Sequence, residues 1–292
     1  MASRTKQKEE ARARRLAEEQ ARAEKERRTR RLQMLGGVVL IAVAIIAVAI
    51  AVSSGSGGSN NAAKLTSNAN KTGKGHVVPC QGSPDSAVCS LLSGIPQSGN
   101  TLGNPHAKVT VTEFGDLECS VCDAFAIGSN DTTSAGTPGT GLEDQLIRND
   151  VRSGKVKLVY RSLETASGGN PDQSAFLNQQ VAAESAGLQN KEWYYVELFY
   201  HYQGPEDTNY VTQAYLDKLA QHVPGLNFAS WQAHLHDPAL QSQVQHDELA
   251  ASAKSFTSTP TLTIAGPKGQ AQAIVGLPNS YSQLESEINS VL

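Results

Sequence analysis

The sequence predicts an α/β domain over residues 95–292, built in two halves, strand–helix–strand and strand–strand–helix, with helices inserted between them and one transmembrane helix ahead. Three observations predict it. A β-branched run, Lys108-Val-Thr-Val-Thr-Glu-Phe114, passes into a helical pattern at Cys119-Ser120-Val121-Cys122. Residues 166–255 then show helical periodicity before a second pair of short strands. An uncharged run from Met34 to Val52 abuts a cluster of arginines.

Residues 1–31 carry 12 Lys/Arg and 6 Glu with few apolar side chains, a composition that favours helix but has nothing to bury. They read as a basic cytoplasmic tail. The apolar run that follows spans roughly 30 Å as a helix, the thickness of a bilayer core, so residues 32–53 are assigned as the transmembrane helix. Arg27, Arg28, Arg30 and Arg31 hold the N-terminus inside, which puts everything after the span outside the cytoplasm, on a cell membrane crossed once. A cleaved signal peptide is the rival. Against it stand the long charged leader, an apolar stretch longer than a signal needs, and the weak cleavage site Ala49-Ile50-Ala51. No cysteine follows the span before Cys80, which disfavours a lipoprotein.

Residues 54–94 form an extracytoplasmic linker, first Ser/Gly/Asn-rich and then turn-rich around Cys80 and Cys89. Outside the cytoplasm these two cysteines read as a structural disulfide, with a second redox pair as the alternative. The structural reading is favoured because neither thiol sits in a context that activates it, though four cysteines allow three pairings. Beyond residue 31 the chain has 13 basic and 22 acidic residues, and a net −9 excludes nucleic acid as the main partner.

Within the domain, the helix opened at Cys122 is interrupted by the Gly/Ser/Thr stretch Gly128–Gly141. Helix resumes over Leu142–Arg152, Gly154 ends it, and Lys155–Tyr160 is the next strand. In the insert, Asn170-Pro171 and Asp237-Pro238 read as helix caps followed by proline at the first helical position. Trp193, Val196, Phe199 and Tyr200, then Val211, Ala214, Tyr215 and Leu219, recur at helical spacing and are expected in the core. Thr261–Ile264, a turn at Ala265–Gln270, and Ala271–Val275 form a hairpin. Ser280-x-x-Gln283 caps a last helix with Leu284, Ile288 and Val291 on one face.

The chemistry centres on the cysteine pair. At a helix N-terminus the unpaired N–H groups favour an anion, so Cys119 is expected to hold thiolate character, while Cys122, one turn further in, can resolve a mixed disulfide. Half a zinc site uses the same C-x-x-C spacing, but the spacing of Cys80 and Cys89 does not complete one. His234 and His236, with His246 downstream, lack a completing carboxylate pattern and read as exposed helix residues; no metal is expected.

Glu113 lies six residues before Cys119 in an otherwise apolar strand, and Ser258-Thr259-Pro260-Thr261 precedes a short strand late in the chain. With the C-x-x-C junction, this resembles the membrane-anchored, DsbA-like thioredoxin-fold thiol–disulfide oxidoreductases of bacteria. The resemblance covers residues 95–292 and implies a thioredoxin fold with an inserted helical subdomain. It implies Cys119 as nucleophile, Cys122 as its partner, Glu113 as the buried acid serving Cys122, and a cis Pro260 facing the pair. Thr259, Ser120 and Val121 would contact the bound polypeptide.

The implied substrates are unfolded or reduced secreted and envelope proteins, and the implied redox partner is a membrane protein of the DsbB or vitamin-K-epoxide-reductase (VKOR) type. The cysteine pair carries the electrons, so no cofactor is expected. Oxidase is placed ahead of isomerase and reductase, which share these residues. Ser120-Val121 differs from the Cys-Pro-His-Cys of the strongest oxidants, and Asp116, Glu118 and Asp123 add negative charge. A less depressed Cys119 pKa and a less oxidising pair than in those members are expected. The alternative is a redox-inactive, thioredoxin-like peptide- or partner-binding module in which Cys119 and Cys122 form a permanent disulfide.

Overall fold

The computed structural model describes Leu65 and residues 79–82, 84–128 and 141–292. The basic tail, the assigned transmembrane span, most of the linker and positions 129–140 of the Gly/Ser/Thr stretch lie outside the described residues. Among the described residues no helix is long and apolar enough to cross a membrane.

A disulfide joins Cys80 to Cys89 at the start of helix α1, Asp85–Leu92. Val88, Leu91 and Leu92 bury the inner face of α1. Its C-terminal end is held by Arg152, whose guanidinium donates to the carbonyls of Ser90, Leu91 and Ser93. Those groups have no partner within the helix. Two short strands follow, β1 (Gln97–Ser98) and β2 (Thr101–Leu102). Next come β3 (Val109–Gly115) and helix α2 (Ser120–Ile127).

Helix α3 (Leu142–Leu146) continues into a π-helical turn, Ile147–Val151, where the sequence predicts regular helix throughout. Strand β4 (Val156–Ser162) alternates inward and outward, with Val156, Leu158 and Tyr160 inside. The insert contributes α4 (Ala175–Gly187), α5 (Glu192–His201), α6 (Gln213–His222), α7 (Phe228–Ala233) and α8 (Pro238–Ala253). The chain closes with β5 (Thr261–Gly266), β6 (Gly269–Gln270), β7 (Ile274–Val275) and α9 (Tyr281–Ser290).

The strands form one mixed sheet in the order β1-β2-β4-β3-β5-β6, with β7 also paired to β5. β3 and β4 are parallel, joined by the α2–α3 crossover; β5 returns antiparallel to β3, opposing Leu262 to Glu113. The central strand is therefore covered on both edges. Side chains alternate along it, so Glu113 shares the face of Val109 and Val111, all with no exposed surface.

Three further local features differ from expectation. Asn170 does not cap a helix: α4 starts at Ala175, and the Asn170 amide turns inward to donate to Glu118 Oε1 at 2.8 Å. Its side-chain oxygen meanwhile accepts from the Asp172 amide at 2.9 Å, closing a local turn rather than opening a helix. Ala214 is exposed, and Leu216 takes the core position beside Tyr215 and Leu219. The hairpin turns within Pro267-Lys268, because β5 extends to Gly266, and the expected strand Ala271–Val275 is replaced by two short ones, Gly269–Gln270 and Ile274–Val275.

Asp237 does cap α8, accepting from the Ala239 amide at 2.8 Å with Pro238 following it. Ser280 caps α9 by accepting from the Gln283 amide at 3.2 Å. The insert shares its core with the sheet rather than packing as a separate body. Trp193 lies edge-to-face on Tyr160, with centroids 6.4 Å apart, and donates its indole N–H to Asn100 O.

Candidate active site

Strand β3 ends at Gly115, where no side chain fits. A Cβ there would stand 2.7 Å from the Tyr160 ring and 3.1 Å from both Glu113 Oε1 and the Tyr200 hydroxyl. The chain then turns through Asp116-Leu117-Glu118 and enters α2 with Cys119 in the N-cap position, in extended backbone conformation. Both thiols are free; Cys119 is 6% exposed and Cys122 is fully buried. The Cys119 thiol points at the carbonyl of Thr259, 3.7 Å away, and the Thr259–Pro260 peptide is cis.

The two sulfurs are set apart chemically. A hydrogen bond from Cys122 lowers the Cys119 pKa; burial opposes this, and Thr259 and the amides of Cys122 and Val121 reinforce it. Those amides are the free N–H groups of the first helical turn. Burial pushes Cys122 well above the ordinary thiol value, with further upward contributions from Cys119 and from the Glu113 charge.

Behind α2, three carboxyls from three elements are fully or almost fully buried: Glu113 on β3, Glu143 on α3 and Glu197 on α5. Burial pushes Glu113 up to about 7, against smaller lowering effects of Glu143 and Tyr200. Burial lifts Glu197 to about 8 and Glu143 well above the carboxylate range, and the Glu113 charge adds to both. Glu113 and Glu197 can therefore hold and release a proton near neutral pH. Glu143 and Glu197 are not among the site residues expected from sequence. Glu197 has a legible signal, an acid inside Trp193-Tyr-Tyr-Val-Glu-Leu-Phe-Tyr200. Glu143, in a helix's first turn, reads like an ordinary N-terminal acid.

Asp116 and Glu118, expected only as nearby negative charge, are buried hubs. Asp116 accepts from the Glu118 amide at 3.1 Å, the Thr165 amide at 2.8 Å, the Ser167 amide at 2.9 Å and the Ser167 hydroxyl. Thr165 in turn shares a 2.5 Å hydrogen bond with the Thr259 hydroxyl. The turn before Cys119, the turn after β4 and the cis-proline loop are thus one connected unit. Glu118 takes Asn170 and Gln179 as donors, and burial raises it to about 7. Gln203 donates to the carbonyls of Leu117 (2.8 Å) and Cys119 (3.1 Å).

Of the expected contact residues, Thr259 is buried, whereas Ser120 and Val121 lie in the first turn of α2. Ser120 is half-buried and donates its amide to Glu206 Oε1 at 2.6 Å, and Val121 is 39% exposed. Of the histidines, His234 is half-buried with Nδ1 2.7 Å from Ser230 O, whereas His236 and His246 are exposed. Among the described residues no group of His, Cys, Asp and Glu is arranged to hold a metal ion.

Comparison with known proteins agrees with this architecture. A curated relative, disulfide bond formation protein D of Bacillus subtilis, is 22% identical over 163 residues. That alignment spans 56% of this chain and 66% of the relative, just under two thirds of its length. The crystal structure of oxidised BdbD from Bacillus subtilis superposes with a TM-score of 0.52 at 20% identity. It covers 68% of this chain and 96% of that one, and shows the fold to be of the same thioredoxin/DsbA-like kind. The crystal structure of DsbA2 from Pseudomonas aeruginosa, at 23% identity, gives a TM-score of 0.47 over 68% of this chain and 97% of that one. The family model described as thioredoxin matches residues 97–277, more than half of the sequence, and the chain belongs to the thioredoxin family.

Proposed function

We propose that the protein is a thiol–disulfide oxidoreductase that exchanges disulfides with secreted or envelope proteins through Cys119 and Cys122. The observation that carries this reading is the pairing of unlike thiols at the N-terminus of α2, opposite the cis Thr259–Pro260 bond and above the buried Glu113.

In the oxidised form a client thiolate attacks the Cys119 sulfur. The Cys119–Cys122 bond breaks, its electron pair leaves on Cys122, and Glu113 supplies the proton that makes Cys122 a thiol. A second client thiolate then attacks the client sulfur of the mixed disulfide and releases Cys119 as thiolate. The client gains a disulfide and loses two electrons, which the cysteine pair carries. A membrane partner of the DsbB or VKOR type takes the two electrons and restores the disulfide, with no cofactor in this chain. Thr259, Ser120 and Val121 contact the client backbone in extended form. The name of the Bacillus relative, disulfide bond formation protein D, supports oxidation over isomerisation or reduction. Residues 32–53 cross the cell membrane once, with residues 1–31 cytoplasmic and the domain outside; the arginine cluster beside the apolar run supports this.

Trapping tests the reading. A Cys122→Ser chain with Cys119 reduced, incubated with a peptide whose cysteine is activated as a mixed disulfide, is expected to release the activating thiol and accumulate a stable peptide adduct on Cys119. No adduct on Cys119 would leave the binding module as the better account.

A further inference from the structure

Cys119 occupies the N-cap of α2 and makes no side-chain cap hydrogen bond; a cap side chain serves the second and third amides in any case, so the first, that of Ser120, needs a partner from elsewhere. That partner is Glu206, 86 residues away in the segment after α5, whose Oε1 accepts from Ser120 N at 2.6 Å. The contact is short and charge-assisted, and it lies one peptide unit from the candidate nucleophile. A thiolate on Cys119 draws on the next amides of the same turn, those of Val121 and Cys122. Two anions therefore address one helix end, where the partial positive charge is about half a unit.

Resting on the oxidoreductase reading above, we propose that Glu206 is a positioning residue for the exchange reaction: its carboxylate fastens the first turn of α2 and, as a second anion there, restrains Cys119 from ionising. Other acidic groups surround that turn, and burial pushes Glu113, Glu118, Glu143 and Glu197 among them toward the uncharged form. Asp116 and Glu118 lie in the preceding turn, Asp123 within α2, and Glu113, Glu143 and Glu197 on β3, α3 and α5. His201, at the end of α5, is kept neutral at pH 7 because burial lowers it to about 4. The ion pairs among the described residues, Arg148–Asp144, Lys155–Asp150, Arg161–Asp247 and His222–Asp85, do not include Glu206. Cys119 is held back from full thiolate character by a side chain that a local view of Cys-Ser-Val-Cys does not contain. Because a disulfide oxidises more strongly when its reduced form is stabilised, removing the Glu206 charge makes the pair more oxidising.

The test uses the full chain and two substitutions. Glu206→Gln keeps an oxygen for the Ser120 amide and removes the charge; Glu206→Ala removes both. Site-resolved alkylation of Cys119 against pH is expected to show its midpoint lower by about half a unit in Glu206→Gln, a shift of the size helix-end charges produce. Thiolate below the midpoint then rises about threefold. The equilibrium constant with glutathione moves by the same factor, about 15 mV at 30 mV per decade for a two-electron couple. A midpoint that moves in Glu206→Ala but not in Glu206→Gln reduces Glu206 to a helix cap and overturns the proposal, as does no movement in either. A parent chain that does not exchange with glutathione at all overturns the oxidoreductase reading and this inference together.

Discussion

The Cys119 thiol meets the Thr259 carbonyl at 3.7 Å although 140 residues separate them in sequence. The sheet makes this meeting possible. β3 and β5 run antiparallel with Phe114 opposite Thr261, so the turn that leaves β3 and the loop that enters β5 open at the same end. Asp116, Thr165 and the Thr259 hydroxyl then tie the two loops through a shared buried network.

Glu113→Gln tests the acid beneath the pair. With its pKa pushed up to about 7 by burial, Glu113 is about half protonated at neutral pH and can give a proton to Cys122. The variant is expected to slow mixed-disulfide formation by about 10²-fold at pH 7, the lower end for a positioned acid. The parent rate per client thiolate should fall as pH rises through about 7, a limb absent from the variant. Rapid-quench mixing with a reduced peptide of known thiol pKa reads both.

Stability should fall as pH rises. Glu113 and Glu118, with pKa values near 7, and Glu197, near 8, keep protons in the folded chain that an unfolded chain releases near 4.5. Between about pH 4.5 and 7 the folded state therefore binds more protons than the unfolded one. Each such group contributes a loss of about 1.4 kcal/mol per pH unit while it alone remains protonated on folding. Urea unfolding from pH 5 to 8 should show a declining midpoint. Glu143→Gln removes one buried acid and should flatten the decline; an unchanged slope would contradict the placement of its carboxyl.

Asp116→Ala leaves three backbone amides, those of Glu118, Thr165 and Ser167, without their acceptor. Unpaired buried donors cost about 1–3 kcal/mol each, so a loss of about 3 kcal/mol or more is expected by urea denaturation. Exchange with glutathione should slow as well, because the cis-proline loop loses its tie to the Cys119 turn. A variant of normal stability would mean that the network does not hold the site.

The Cys80–Cys89 disulfide should matter to stability and not to chemistry. Replacing both cysteines by alanine is expected to cost about 2 to 3 kcal/mol for so short a loop, with the Cys119 exchange rate unchanged. A slowed exchange at unchanged stability would instead make the pair a redox relay.

Local pattern makes much of this molecule legible. The β-branched alternation of Val109–Gly115, the helix opening at the cysteine pair, the Asp237-Pro238 cap and the Ser280 cap are all short-range signals, and the structure carries each. Glu113 is marked by its apolar neighbours, and Glu197 carries the same mark. What local pattern lacks is the partner: α5 packs against the back of α2, a pairing that periodicity does not encode. Asn170 shows the limit from the other side. Asn-Pro is a sound helix-start signal, yet its amide serves Glu118, 52 residues earlier, and the helix starts later. Gln203 and Glu206 reach the active-site turn from 84 to 86 residues away, through contacts that only the folded chain creates.

The most direct measurement is the equilibrium of the full chain with glutathione, reading the Cys119–Cys122 disulfide by mapped peptides. A potential above about −200 mV, yet below the roughly −120 mV of the strongest oxidants, is the expected result and makes the protein an oxidase of client proteins. A potential below about −300 mV, in the range of structural disulfides, would contradict the account and leave a reductase or a redox-inactive binding module in its place.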